Sequence, residues 1–130
     1  MSSILDTYSA VSMADSPEGI ACIRLTGDID LTAVDALDRT VAQVISEPRA
    51  AIYVDLAAVQ FAGSTLINFL AQLIDTMPMD RPVQLCRPSH TTRRLIELCA
   101  LDTVATISNK LPADFTAAAV TASAGTTLTA

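Results

Sequence analysis

Tryptophan is absent from this sequence, and phenylalanine and tyrosine bring the aromatic share to only 4%. Packing must therefore rest on Ala, Val, Leu and Ile, and these are plentiful. Hydrophobic residues make up 51% of the chain and its mean hydropathy is +0.43. Lysine occurs once, at Lys110, and the formal net charge is −6 at pH 7. A nucleic-acid binder needs a basic face, and docking to anionic lipid needs the same. The one local surplus of positive charge, Arg87, Arg93 and Arg94, is too small for a duplex footprint. No apolar run reaches the ~18 residues that span a bilayer. The N-terminus, "MSSILDTYSA", lacks both the basic region and the apolar core of a secretory signal.

Cysteine and histidine are just as sparse. Cys22, Cys86 and Cys99 form an odd set without close pairs, which fits a reducing compartment better than a disulfide framework. Each lies in an apolar run, so all three are expected as small core residues. His90 is the one histidine, and no Cys-x-x-Cys pattern or His/Cys cluster offers a metal site. Neither a metal nor a cofactor is expected. A cytoplasmic domain is the reading that remains, and 130 residues suit one domain.

What is present is an alternation. "SAVSM" near the start reads as a short strand, and "DSPEG" at 15–19 as a turn punctuated by Pro and Gly. "IACIRLTG", 20–27, is apolar on both faces and reads as a buried strand, with "DID" as a loop after it. Thr32 then opens a helix, with Asp35 three residues on in the manner of a capping box. Val34, Leu37, Val41, Val44 and Ile45 form its apolar stripe, and "SEPRA" ends it. "AIYVDL", 51–56, reads as a second buried strand. The helix expected over 64–77 carries Leu66, Ile67, Phe69, Leu70, Leu73, Ile74 and Met77 inward. Its outer face holds Ser64, Asn68, Ala71, Gln72 and Asp75.

"VQLC", 83–86, is a third such strand. Pro88-Ser89 opens a helix with Arg93, Arg94 and Glu97 outside and Leu95, Leu98 and Cys99 inside. "TVATI" reads as a last short strand, and Pro112 begins a final helix through "ADFTAAAV". The order β-β-α-β-α-β-α-β-α predicts an α/β fold with a mixed, mostly parallel sheet and about four helices. Residues 1–115 would form the domain. Residues 116–130 would hold the end of the last helix and a flexible Ala/Thr-rich tail.

The stretch "FAGSTLINFL", 61–70, places two adjacent hydroxyls, Ser64 and Thr65, where a strand turns into a helix. Ser64 could cap that helix by accepting the N–H of Leu66 or Ile67. Alternatively it is a chemical handle, and phosphate there would face the free N–H groups and positive end of the helix. A hydrolase is disfavoured. The nucleophile elbow needs G-x-S-x-G, whereas Ala62 and Leu66 flank Ser64 at those positions, and His90 is the sole candidate base. Asp28 and Asp30 pair two carboxylates without a third oxygen ligand, which points to a solvated loop and a helix N-cap rather than to Mg²⁺ or Ca²⁺.

"ACIRLTGDIDLTAVDAL" resembles the "LTGELD" segment of the STAS domain family, typified by anti-sigma factor antagonists. The likeness continues through "IYVDLAAVQFAGSTLINFL", where that family has a strand and then D-S-S-G-L, and resumes at "VQLCRPSHTTRRLIELCALDTV". It spans roughly residues 8–110. The resemblance implies a single STAS-like domain that is not an enzyme. It implies a bacterial transcription regulator that captures an anti-sigma factor, itself a serine kinase, and is reset by a serine phosphatase. By position, Ser64 is the phosphorylated hydroxyl and Thr65 the second candidate. Asp30 matches the aspartate of "GELD", and Asp28 keeps the charge of its glutamate. The implied partner surface is Asp28, Asp30, Gly63, Ser64, Thr65 and Asn68. Gly63 stands where the family has aspartate, Leu66 where it has glycine, and Ala100 where a glycine commonly ends the helix. A STAS scaffold domain that is never phosphorylated is the alternative. Weak pairing of two copies stays open at this point.

Overall fold

The computed structural model describes residues 10–112 and residue 115. Its strands are β1 (Val11–Asp15), β2 (Ile20–Ile29), β3 (Ala51–Ala62), β4 (Gln84–Cys86) and β5 (Thr106–Ser108). Its α-helices are α1 (Val34–Ser46), α2 (Ser64–Asp75) and α3 (His90–Leu98), with 3-10 turns at Leu31–Ala33 and Leu101–Thr103. The five strands lie side by side in chain order. β1 runs antiparallel to β2, and the other three pairings are parallel. This is the expected single α/β domain with a mixed, mostly parallel sheet. Three α-helices are described where about four were expected. The fourth, from Pro112, and the tail of 116–130 lie outside the described residues, except that Phe115 is buried and its N–H donates to Pro112 O at 2.9 Å.

Sequential strand order has a consequence. Right-handed crossovers between neighbouring parallel strands put every connecting helix on the same side of the sheet. One core results. It joins Ala21, Ile23 and Leu25 of β2, Ile52, Val54 and Leu56 of β3 and Leu85 of β4 to Leu37, Val41 and Val44 of α1, Leu66, Phe69, Leu70 and Leu73 of α2, and Ile96 of α3. Leu66, Leu70 and Leu73 are fully buried, and truncating such a leucine to alanine costs roughly 2–5 kcal/mol. Strand alternation sends Cys22, Tyr53, Asp55 and Cys86 to the opposite face. There the buried Asp55 accepts from Arg87 Nη2 at 2.7 Å, from Arg87 Nε at 3.3 Å and from the Ala57 N–H at 3.1 Å. Burial pushes the Cys22 thiol up to about 11 and the Cys86 thiol up to about 12.

The strands and helices depart from the sequence reading in instructive ways. β2 continues through Asp28 to Ile29, so "DID" is not a loop, and β3 continues past Leu56 to Ala62. The two strands extend each other, because Thr26 to Ile29 pair with Ala58 to Ala62 across two register shifts. Ladder pairing between distant segments decides strand length, and polarity along one segment does not reveal it. α1 begins at Val34 rather than Thr32, and its entry is capped by Asp30 rather than by a Thr32/Asp35 box. Ile45 is 65% exposed, because one helical step turns it about 100° from the buried Val44, onto the flank of the stripe. α2 stops at Asp75, not Met77. The Thr76 hydroxyl donates to Leu73 O at 2.6 Å, and the Met77 N–H reaches back only to Ile74 O. In α3 the buried side chains are Thr92 and Ile96, whereas Leu98 is 75% exposed and Cys99 is exposed too. The expected burial of Leu98 and Cys99 is thus corrected, since Leu98 lies about 200° round the helix from the buried Ile96 and Cys99 follows the end of α3. β5 starts at Thr106, because Thr103 belongs to the turn at Leu101–Thr103 and the Val104 and Ala105 N–H groups bond back to Leu101 O.

Candidate functional site at the Ser64 edge

The carboxyl ends of β2 and β3 finish side by side, with Asp28 opposite Phe61 and Ile29 opposite Ala62. Each strand then turns directly toward a helix. After β2, Asp30 accepts from the Thr32 N–H at 3.0 Å and from the Thr32 hydroxyl, capping the turn that leads into α1. The bonds from Thr32, its hydroxyl first, hold the Asp30 carboxyl below its ordinary value. The capping role expected for Asp30 is therefore present. After β3, Gly63 is the N-cap of α2, with φ −150°, and its carbonyl accepts the Ile67 N–H at 3.1 Å.

Ser64 is the first residue of α2, not its cap, and its hydroxyl has no hydrogen-bond partner among the described residues. The capping role considered for Ser64 is corrected on this point. Gly63 already occupies the cap position, so the Ser64 side chain is one residue too late to reach back over the first turn. Ser64 is exposed, Thr65 is half-buried, and Asn68 is exposed one turn further on. A cleft of about 180 Å³ runs between the starts of α1 and α2, and Leu31, Leu37, Asp38, Ser64, Thr65 and Asn68 all line it.

The fold thus gathers Gly63, Ser64, Thr65 and Asn68 at one helix start, and sets Asp28 and Asp30 at the neighbouring strand end. Sequence reasoning did not single out Leu31, Phe61 or Asp38. Leu31 is 82% exposed and Phe61 54% exposed, both at this edge. The Phe61 ring lies against Gly63, where a Cβ would sit 3.6 Å from it. One signal could have found Leu31: an apolar side chain between a capping aspartate and the first helical turn has no core face to occupy. Phe61 carried no comparable sign, since it reads as one more strand residue.

His90 is exposed at the start of α3, and no hydrogen bond joins it to Ser64 among the described residues. No group of three His, Cys, Asp or Glu side chains among the described residues is placed to hold a metal ion. No helix of the described residues is long and apolar enough to cross a membrane.

Known proteins resemble this arrangement. The anti-sigma-F factor antagonist RsfB of Mycobacterium tuberculosis is 32% identical over 92 residues, which are 71% of this chain and 75% of RsfB. An anti-sigma factor antagonist from Mycobacterium paratuberculosis has a crystal structure that superposes with a TM-score of 0.69 at 26% identity, covering 78% of this chain and 86% of that one. The Bacillus cell fate determinant SpoIIAA, in its phosphorylated form, shares the fold with a TM-score of 0.61 at 18% identity, over 78% of this chain and 93% of its own. The STAS domain family model matches residues 12–113, nearly the whole of the described fold. On this span, and on the identity to RsfB over two thirds of both chains, the protein belongs to the STAS domain family.

Proposed function

We propose that this chain is an anti-sigma factor antagonist of the bacterial cytoplasm, switched by phosphorylation at Ser64. The observation that carries the reading is the state of Ser64: an exposed hydroxyl, free of hydrogen bonds among the described residues, on the first turn of α2 in a chain 32% identical to an anti-sigma-F factor antagonist. In this reading the unmodified surface formed by Asp28, Asp30, Gly63, Ser64, Thr65 and Asn68 captures an anti-sigma factor that is also a serine kinase. The γ-phosphoryl group of ATP moves to Ser64 Oγ, ADP leaves, and the hydroxyl proton passes to a base on the kinase. A serine phosphatase reverses the step by hydrolysis.

The physics supports such a switch. The first N–H groups of α2 have no intrahelical acceptor, so a phosphate on Ser64 meets donors and the positive end of the helix. It adds about −1.5 to −2 charges to the surface without touching the core. Binding is lost while the fold stays. Ser64 is preferred over Thr65 because it is exposed and Thr65 is half-buried.

The test is a titration of the anti-sigma factor with wild type, Ser64→Asp and Ser64→Ala, together with transfer of radiolabel from ATP. Ser64→Asp should fold, since a carboxylate at a helix start is favoured by roughly 0.3–1 kcal/mol, yet bind more weakly. Ser64→Ala should bind and take no label. Equal affinity for all three, with no labelling of wild type, would move the protein to the reading of a STAS scaffold that is never phosphorylated. Gly63 favours that second reading, because it removes the carboxylate that the family places beside the hydroxyl.

A further inference from the structure

Six large apolar side chains among the described residues are exposed to water, and two of them, Leu31 and Phe61, lie where β2 and β3 end near Ser64. Leu31 is 82% exposed on the turn before α1, and it lines the cleft that also holds Ser64. Phe61 is 54% exposed at the end of β3, with its ring against Gly63, the residue before Ser64. Neither belongs to the core. Folding therefore gains little from Leu31, and neither side chain fills the core.

The surroundings are charged with one sign. Residues 28–38 contain Asp28, Asp30, Asp35 and Asp38 and no basic residue. None of these four carboxylates is in an ion pair among the described residues. The edge thus exposes two separate apolar side chains, Leu31 in the Ser64 cleft and Phe61 against Gly63, beside a stretch of carboxylates, a pattern in which apolar anchors are desolvated and a charged border guides approach.

We propose that Leu31 and Phe61 are the apolar anchors of the anti-sigma factor interface, seated in an apolar depression that the partner rings with Arg or Lys. The inference rests on the reading of the Ser64 edge given above and deepens it, because it states how the switch acts. A phosphate on Ser64 shares the cleft with Leu31 and follows Gly63, against which the Phe61 ring lies, so docking would have to strip its water within an apolar contact. It also adds negative charge next to Asp28, Asp30 and Asp38, which the partner's cations must then share. Release follows from desolvation as much as from repulsion, and α2 need not move.

The experiment is calorimetric titration of the anti-sigma factors of the source organism, each purified, with wild type, Leu31→Ala, Phe61→Ala and Ile45→Ala. Ile45 is the control: it is 65% exposed, on the last turn of α1, at the other end of the cleft's helices. Leu31→Ala and Phe61→Ala should each weaken binding at least tenfold, with Ile45→Ala within twofold of wild type. Melting of Leu31→Ala should match wild type, which separates lost contact from lost fold. Wild-type binding with both anchor variants unchanged would overturn the anchors and leave the antagonist reading standing. No binding by wild type to any of the anti-sigma factors would overturn both. Equal weakening by all three substitutions would show a general loss of apolar area and also overturn the proposal. A second arm repeats the titration at raised salt. The acidic rim predicts a larger Kd there for wild type, whereas the tenfold effect of Leu31→Ala should persist; a wild-type Kd unchanged by salt would overturn the charged rim.

Discussion

Ala100 should be replaceable by glycine with a gain in stability. It follows the last turn of α3 with φ +59° and ψ +20°, a left-handed conformation, and its N–H donates to Glu97 O at 3.0 Å. For a residue with a Cβ this conformation costs roughly 1–2 kcal/mol. Glycine removes that strain but loosens the unfolded chain, which takes back about 0.4–1 kcal/mol. The net gain is about 0.5–1 kcal/mol. Unfolding entropy near 2.1 cal/mol/K per residue makes this a rise of roughly 2–4 °C in melting midpoint for a chain of this length. Arg87 supplies the contrast. It is the other non-glycine residue with positive φ, at +55°, yet its guanidinium holds the buried Asp55 carboxylate. Arg87→Gly relieves similar strain and leaves that carboxylate with the Ala57 N–H alone, at a cost of roughly 1–3 kcal/mol. It should therefore lower the midpoint. Differential scanning calorimetry of both variants at one pH decides the matter. A midpoint for Ala100→Gly that is unchanged or lower refutes the strain argument. Binding at the Ser64 edge should be unaffected, because α3 runs back along the sheet and places Ala100 at the opposite edge.

Gly63→Asp should fold and melt slightly higher than wild type. The Gly63 φ of −150° lies outside the left-handed region that favours glycine, a Cβ would meet the Phe61 ring at an ordinary 3.6 Å, and aspartate caps a helix better than glycine by a few tenths of a kcal/mol. A melting midpoint several degrees lower would show that position 63 needs glycine for a reason absent from this geometry. Native alkylation with iodoacetamide near pH 8 should label Cys99 quickly and Cys22 and Cys86 only after denaturation, as read by peptide mass. The same two thiols make stability fall with rising pH. Unfolded they ionise near the ordinary value of 9.0, whereas folded they hold their protons to about 11 and about 12, so stability is lost as pH climbs above about 9. Urea midpoints that stay level from pH 8 to pH 10.5, in wild type compared with Cys22→Ala and Cys86→Ala, would contradict this.

The sequence by itself determined the order of elements and most of what faces inward. The stripe Leu37, Val41, Val44 and the run Leu66, Phe69, Leu70, Leu73 are periodic within one segment, and a helix needs no distant partner to display its face. The same holds for the local cap at Ser89, which opens α3 and accepts the Thr92 N–H at 3.2 Å, within reach of any reading of four consecutive residues. Gly63 and Ser64 were also legible as the place where strand becomes helix. Which of them caps, however, depends on where β3 ends, and β3 ends where its pairing with β2 ends. Only the tertiary structure decided that. Ladder bonds between residues about thirty apart carried both strands past their apolar stretches, and the same register brought Asp28 opposite Phe61. It also decided which apolar residues are left in water. Leu31 and Phe61 are chemically indistinguishable from core residues, and their exposure follows from where each chain segment leaves the sheet, a property of the packed layers rather than of any short stretch of sequence.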